Sequence, residues 1–295
     1  MNSTQSSALR FALPKGRMQK GVFSLLEEAG ISITASTRGY RPVISVADIE
    51  TKILKPQNIV GMLQQGSRDL GFAGADWVEE LGAGAGQGEL VEVLDTGLNP
   101  VQLIAAAPRE LLFDGQIPAK RLRVASEYES LTKKWIADRA MDDQFVRSNG
   151  ATEVFPPEDA DLIVDNTATG ATLRDNGLVI VDDLMRSSTR LYASRAAYDD
   201  DRKRARIEDM KMLLQAVLEG RRRSMIEVNV SAEQLSDIIA VLPAMQNPTV
   251  SPLFGDAGYA VRAAVLRSEL AEVIPRIKSS GGRDVVVSDV NQIIP

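Results

Sequence analysis

The densest chemistry in this sequence is a carboxylate followed by small and hydroxylated residues. It lies in Asp161-Leu162-Ile163-Val164-Asp165-Asn166-Thr167-Ala168-Thr169-Gly170-Ala171-Thr172-Leu173. An apolar run delivers Asp165 into the loop, and a short helix follows, closed by Asn176-Gly177, residue types suited to a left-handed terminus. In open α/β sheets, ligands sit outside the carboxyl ends of strands. At such an end, consecutive backbone N–H groups, two Thr hydroxyls and a helix start can all turn toward an anion. Gly170 lets the backbone come close to it. A carboxylate just before the loop can accept hydrogen bonds from sugar hydroxyls, so the combination suits a 5-phosphoribosyl group. A plain strand-to-helix turn with a Thr cap has the same spacing, and the spacing alone leaves both readings open.

Two further candidates are weaker. Lys15-Gly16-Arg17 is a flexible turn between a strand and a helix, where cations and free amides favour an anion; it is also an ordinary solvated turn. In Asp69-Leu70-Gly71-Phe72-Ala73-Gly74 the glycines permit close approach of a ligand or serve tight turns. The glycine-rich 82–88 does not fit a dinucleotide fingerprint and follows a helix, so it reads as a surface loop. No Walker A sequence is present. Cysteine and histidine are both absent, which excludes disulfides, thiolate nucleophiles, Ser-His-Asp triads and Cys- or His-ligated zinc. A metal would be a hard, oxygen-ligated one such as Mg²⁺.

The elements that must position these residues follow from periodicity. Leu9, Phe11 and Leu13 alternate as a strand; Met18, Val22, Leu25, Leu26 and Ala29 share a helical face that Gly30 ends. Ile59, Met62 and Leu63 mark a second helix stopping at Gly66. A strand at 69–72 leads into a third helix at 75–81, with Asp76 in its first turn. Strands recur near 91–94, 101–106, 122–125, 162–164 and 178–181, with a helix at 127–139 among them, a parallel α/β pattern. Segment 187–193 reads as a strand crossing back to the first lobe.

The last third differs. Residues 200–206 are highly charged, and Ile207, Met210, Leu214, Val217 and Leu218 keep a helical face to about Gly220. Arg221-Arg222-Arg223 reads as a solvated face. A strand at 225–230 follows, then Ser231-Ala232-Glu233-Gln234 as a capping box opening a helix through Leu242. Strands at 248–253 and 259–266, a helix at 268–280 and a strand at 283–290 complete a βαββαβ, ferredoxin-like unit.

Composition bounds the rest. The chain has 295 residues, 34 Lys+Arg against 40 Asp+Glu and a formal charge of −6, which argues against non-specific nucleic-acid binding. At 44% hydrophobic and 25% charged it is an ordinary folded mixture, and its length suggests two or three domains. No run approaches the roughly 18 apolar residues that span a bilayer. The start, MNSTQSSALR, lacks a cationic stretch followed by an apolar one, so it reads as a short disordered tail on a cytoplasmic chain.

In this order the pieces resemble ATP phosphoribosyltransferase of the long form, the family that opens histidine biosynthesis. The resemblance runs from about Leu9 to the C-terminus through LRFALPKGR, RDLGFAGADWVEE, RVASEYESLTKKW, DNTATGATLRDNGL and LPAMQNPTVSPL. It implies a two-lobed, periplasmic-binding-protein-like (type II) α/β body plus a C-terminal ferredoxin-like βαββαβ domain. Lobe I would be 1–98, with 186–211 returning to it; lobe II 99–185; the regulatory domain 212–295. It implies attack of N1 of the adenine of ATP on C1 of phosphoribosyl pyrophosphate (PRPP), with pyrophosphate leaving and Mg²⁺ riding on its oxygens, so no protein metal site is expected. Carried over, Asp165 holds the ribose hydroxyls, and Ala168, Thr169, Gly170, Ala171, Thr172 and Leu173 cradle the 5-phosphate. Lys15 and Arg17 face substrate phosphates, Asp69, Leu70 and Gly71 line the nucleotide side, and Glu153 sits near the reacting centre. Histidine, as feedback inhibitor, would meet Asn229, Met245, Asn247, Thr249 and Gly282, in a dimeric or hexameric assembly.

There are departures: the family often has an apolar residue at Asn166, an acid or hydroxyl at Ala168, and Asp at Asn58. A non-catalytic ligand-binding regulator would share the two-lobed body. A secreted solute binder would need a signal peptide, and a transcription regulator a helix-turn-helix, where Leu9 instead starts a strand.

Overall fold

The computed structural model describes residues 8–34, 39–84, 89–139, 142–243, 245 and 247–294. The N-terminal tail at 1–7, Ala85-Gly86-Gln87-Gly88 of the glycine-rich loop, and Ala244 and Gln246 lie outside the described residues. The chain divides into two compact units, one built from the chain up to Glu27 with Ile31–Lys211, the other from Glu28–Gly30 with the chain from Met212 onward.

The first unit opens with β1 (Leu9–Pro14), α1 (Arg17–Glu28), β2 (Ile33–Thr34), β3 (Val43–Ile44), β4 (Ile49–Leu54), α2 (Pro56–Gln64), β5 (Leu70–Gly74) and α3 (Ala75–Glu80). β1 pairs in parallel with β4 and β5, and its Leu9, Phe11, Ala12 and Leu13 are all buried, as expected of a parallel strand covered on both faces. α1 buries Met18, Val22, Leu25 and Leu26, the single apolar stripe of a surface helix. Then come β6 (Leu90–Pro108), β7 (Arg123–Ser126), α4 (Glu129–Asp138), β8 (Gln144–Arg147), β9 (Leu162–Thr167), α5 (Ala171–Asp175), β10 (Leu178–Ser194) and α6 (Arg195–Asp199). The sheet runs β4-β1-β5-β10-β6-β9-β7-β8. β4-β1-β5 form the sheet of lobe I and β9-β7-β8 that of lobe II.

β6 and β10 join the lobes, and here the structure corrects the sequence reading. Segments 91–94 and 101–106 are one 19-residue strand, and 178–181 and 187–193 are one 17-residue strand. Gly97 and Asn99, both in left-handed backbone, and five register shifts between the partners break the alternation that periodicity relies on. The short strands β2, β3, β4 and β8 were not anticipated.

α7 (Asp201–Arg222) contains the boundary between the units. It runs past Gly220 to Arg222, and Arg222 and Arg223 pair with Glu219 at its end. The second unit continues with β11 (Arg223–Val230), α8 (Leu235–Val241), β12 (Thr249–Pro252), β13 (Tyr259–Leu266), α9 (Leu270–Ser279) and β14 (Arg283–Asp289). The antiparallel order β12-β13-β11-β14 is that of the ferredoxin-like unit. Ile226, Val228, Val230, Ile238, Val261, Val265, Val273 and Ile277 form its core. The capping box does not form: the Ser231 hydroxyl donates to Gln234 Oε1 at 3.0 Å, and α8 begins only at Leu235. Among the described residues no helix is long and apolar enough to cross a membrane.

Candidate functional site

β9 carries the site. Leu162, Ile163 and Val164 anchor it in the core, and Asp165 emerges at its carboxyl end. The Asp165 Oδ1 accepts the Asn166 backbone N–H at 2.7 Å. Thr167 Oγ1 accepts from the Gly170 N–H at 2.9 Å, and Gly170 takes φ of 70°, so the chain turns sharply into α5. The Thr169 carbonyl accepts Arg174 Nη1 at 3.1 Å.

Facing this loop is a second turn, with Gly150 at φ of 100° and Ala151 at 49°, locked by a 2.7 Å hydrogen bond between the buried Ser148 and Thr152 hydroxyls. It carries Glu153 toward Asp165. The two turns, Glu127 and Arg17 enclose a cavity of about 350 Å³. Asp165, Glu153, Arg17, Ala168, Thr169, Ala171, Thr172 and Leu173 thus share one cavity, while buried Gly170 shapes the loop from behind. Burial raises the Asp165 carboxyl to about 6, despite the Asn166 N–H; Glu153 and Glu127 push the same way and Arg17 opposes them.

A second cavity of about 320 Å³ lies beside it, lined by Lys15, Arg17, Met18, Pro56, Gln57, Asp76, Trp77, Tyr128 and Asn166. Arg17 and Asn166 border both cavities. Lys15 Nζ sits 5.1 Å from the centre of the Tyr40 ring. Trp77 stacks on Tyr128 with centroids 4.7 Å apart. The Tyr128 hydroxyl donates to Asp76 Oδ2 at 2.7 Å; burial first, then Asp76, raises that phenol above its ordinary range. Gln57 Oε1 is buried without a hydrogen-bond partner. Glu80 accepts the Ser130 and Leu131 N–H groups at 3.0 Å each, capping α4 of lobe II from α3 of lobe I. Sequence reasoning missed Glu127, Gly150, Ala151, Thr152, Asp76, Trp77, Tyr128 and Gln57. Asn149-Gly150 was the one turn signal available for the second loop.

Three residues assigned to the nucleotide side do not reach either cavity. Asp69 lies at the amino end of β5, buried, where it binds Arg10 through both carboxylate oxygens and Lys203 at 3.0 Å. Leu70 is fully buried. At Gly71 an added Cβ would sit 2.6 Å from Ile59 Cγ2, so its missing side chain serves core packing. What reaches the cleft is the carboxyl end of β5, leading into Asp76 and Trp77.

In the second unit Met245, Asn247 and Thr249 line a cavity of about 370 Å³ together with Met225 and Arg262. Asn229 and Gly282 are not part of it. Asn229 Nδ2 binds Asp284 at 3.2 Å, and Gly282 is pressed against Ile277 and Val228.

A two-lobed α/β body with an acid, a cation and a small-residue loop gathered at strand carboxyl ends defines an α/β class whose ligand sits where those strand ends meet. Family profiles narrow the class: ATP phosphoribosyltransferase matches residues 55–216, and the HisG C-terminal domain matches 220–292. ATP phosphoribosyltransferase of Pelotomaculum thermopropionicum is 30% identical, covering 97% of this chain and 99% of the relative. That of Solibacter usitatus is 33% identical, with 97% and 99% covered. A solved ATP phosphoribosyl transferase (HisG:HisZ) complex from Thermotoga maritima superposes with a TM-score of 0.62 at 25% identity, over 72% of this chain and 98% of that one. The chain belongs to the ATP phosphoribosyltransferase family.

Proposed function

We propose that this enzyme transfers the 5-phosphoribosyl group of PRPP to N1 of ATP, releasing pyrophosphate, as the first step of histidine biosynthesis. The observation that carries this is the cavity shared by Asp165, Arg17, Glu153 and the Thr167–Leu173 loop, in a chain of this family. Asp165 accepts from the ribose hydroxyls, which a carboxylate can do twice. The loop amides and the Thr169 and Thr172 hydroxyls receive the 5-phosphate. Arg17 and Lys15 meet the charge that builds on departing pyrophosphate, and Glu153 and Glu127 supply negative field near C1 as it becomes cation-like. The neighbouring cavity with Trp77 and Tyr128 takes the nucleotide. Catalysis here is positioning and electrostatics.

Among the described residues no group of three acids is placed to hold a metal ion. We take Mg²⁺ to arrive on substrate oxygens, where it would neutralise pyrophosphate charge. In the second unit, the cavity with Asn247, Thr249 and Arg262 suits a free amino acid, and we take L-histidine as its inhibitor. A homo-oligomer, dimer or hexamer, and a cytoplasmic location complete the reading.

The test is pyrophosphate release that requires ATP and PRPP together. Thr172→Val should lose about ten- to hundredfold, the worth of a hydroxyl donating to a charged phosphate. Wild-type kinetics in Thr172→Val would remove the loop from the site.

A further inference from the structure

A single hydrogen-bonded chain crosses the cleft through Asn166. Its Oδ1 accepts from Arg17 Nη1 at 3.2 Å, and its Nδ2 donates to the Tyr128 hydroxyl at 2.8 Å. That hydroxyl gives its proton to Asp76 Oδ2 at 2.7 Å, and the other Asp76 oxygen accepts from the Ser187 hydroxyl at 2.8 Å. Arg17 and Asp76 belong to lobe I, Tyr128 and Asn166 to lobe II.

The donor polarity leaves one solution. Arginine only donates, so it must meet the amide oxygen. The Tyr128 proton is committed to a carboxylate, so the hydroxyl offers only lone pairs and must meet the amide NH₂. An apolar side chain at 166 bridges nothing, and a carboxylate would oppose the Tyr128 lone pairs. Tyr128 is fully buried and stacked on Trp77. Arg17 is the opposite, an exposed, rotamer-rich side chain that borders both cavities. Left alone it would lose entropy each time it met a ligand.

We propose that Asn166 is a positioning residue that parks the Arg17 guanidinium between the phosphoribosyl and nucleotide cavities, with Tyr128 and Asp76 fixing the direction of its amide. The inference rests on the reading of Arg17 as a phosphate-facing cation. The chain of bonds spans both lobes.

The test is a double-mutant cycle on the full chain, read as kcat and KM for each substrate, with thermal midpoints to verify folding. Asn166→Leu should lower kcat/KM about tenfold in the presence of Arg17, and less than about twofold in an Arg17→Ala background. Asn166→Ser should behave alike and serves if the Leu variant fails to fold. Tyr128→Phe, which keeps the ring on Trp77, should lose about threefold, again only while Arg17 is present. A merely structural role predicts losses that multiply in the Arg17→Ala background, and that result overturns the proposal. So does wild-type kinetics in both Asn166 variants while Arg17→Ala is impaired, which leaves the phosphate-facing reading standing. If Arg17→Ala itself keeps wild-type kinetics, that reading falls and the positioning role falls with it.

Discussion

The Thr167 hydroxyl accepts the Gly170 backbone N–H at 2.9 Å, closing the loop on itself. The closure depends on Gly170 holding φ of 70°, which costs other residues about 1–2 kcal/mol. An added Cβ would also meet Arg174 Nη1 at 3.1 Å, the movable end of a side chain. Gly170→Ala should therefore lose about 1–2 kcal/mol of stability in denaturant melts and raise KM for PRPP severalfold. Unchanged stability and KM would mean the loop is not preformed by this turn.

The Asp165 carboxyl, raised by burial from 3.8 to about 6, sets a pH dependence. A raised carboxyl favours the fold while protonated. That contribution is complete below about 3.8 and gone once pH exceeds about 6, so at pH about 7.5 the ionised group is a net cost. Asp165→Asn should be more stable than wild type at neutral pH, by up to about 3 kcal/mol, with the advantage shrinking as pH falls toward about 5. Wild-type kcat/KM for PRPP should fall as pH drops through about 6, because only the ionised group accepts from both ribose hydroxyls. A flat profile between neutrality and mildly acid pH would contradict this.

Asp69 should behave as a structural acid. Burial alone would raise its carboxyl, but hydrogen bonds from the Arg10 side chain and backbone and from Lys203 hold it below the ordinary range. Asp69→Asn should cost about 2–4 kcal/mol, since Arg10 and Lys203 lose their shared anion. KM for ATP should stay within about twofold of wild type at a temperature where the variant is folded. A selective rise in that KM without loss of stability would return Asp69 to the nucleotide side.

Inhibition by L-histidine should be non-competitive toward PRPP, because Met245, Asn247 and Thr249 belong to a different unit from Asp165. An inhibitor bound there needs two states of different affinity, with a coupling of about 1–3 kcal/mol. Thr249→Ala should raise the half-inhibiting concentration about tenfold and leave uninhibited turnover unchanged. Calorimetry without histidine binding, or simple competition with PRPP, would defeat the assignment.

The sequence made some parts of this molecule legible and hid others for physical reasons. The loop from Asp165 to Leu173 was readable because its chemistry is local: strand, acid, small residues and helix start follow one another. The C-terminal module was readable because its two central strands, Arg223–Val230 and Tyr259–Leu266, alternate. β6 and β10 were hidden because bulges and left-handed residues interrupt their period. The partnership of Asp76 with Tyr128, 52 positions apart, was hidden because no local pattern encodes a long-range hydrogen bond. Asp69 and Gly71 misled because a buried ion pair and a packing glycine carry the same residue types as a binding turn.

The most direct test is to incubate the purified chain alone with ATP, PRPP and Mg²⁺ and identify the product by mass spectrometry and NMR. The account predicts one product, ATP carrying a 5-phosphoribosyl group on N1, formed one-for-one with pyrophosphate and abolished when PRPP is withheld. No product at saturating substrates, turnover only after a second polypeptide is added, or a ribosyl group on another atom of ATP would contradict it.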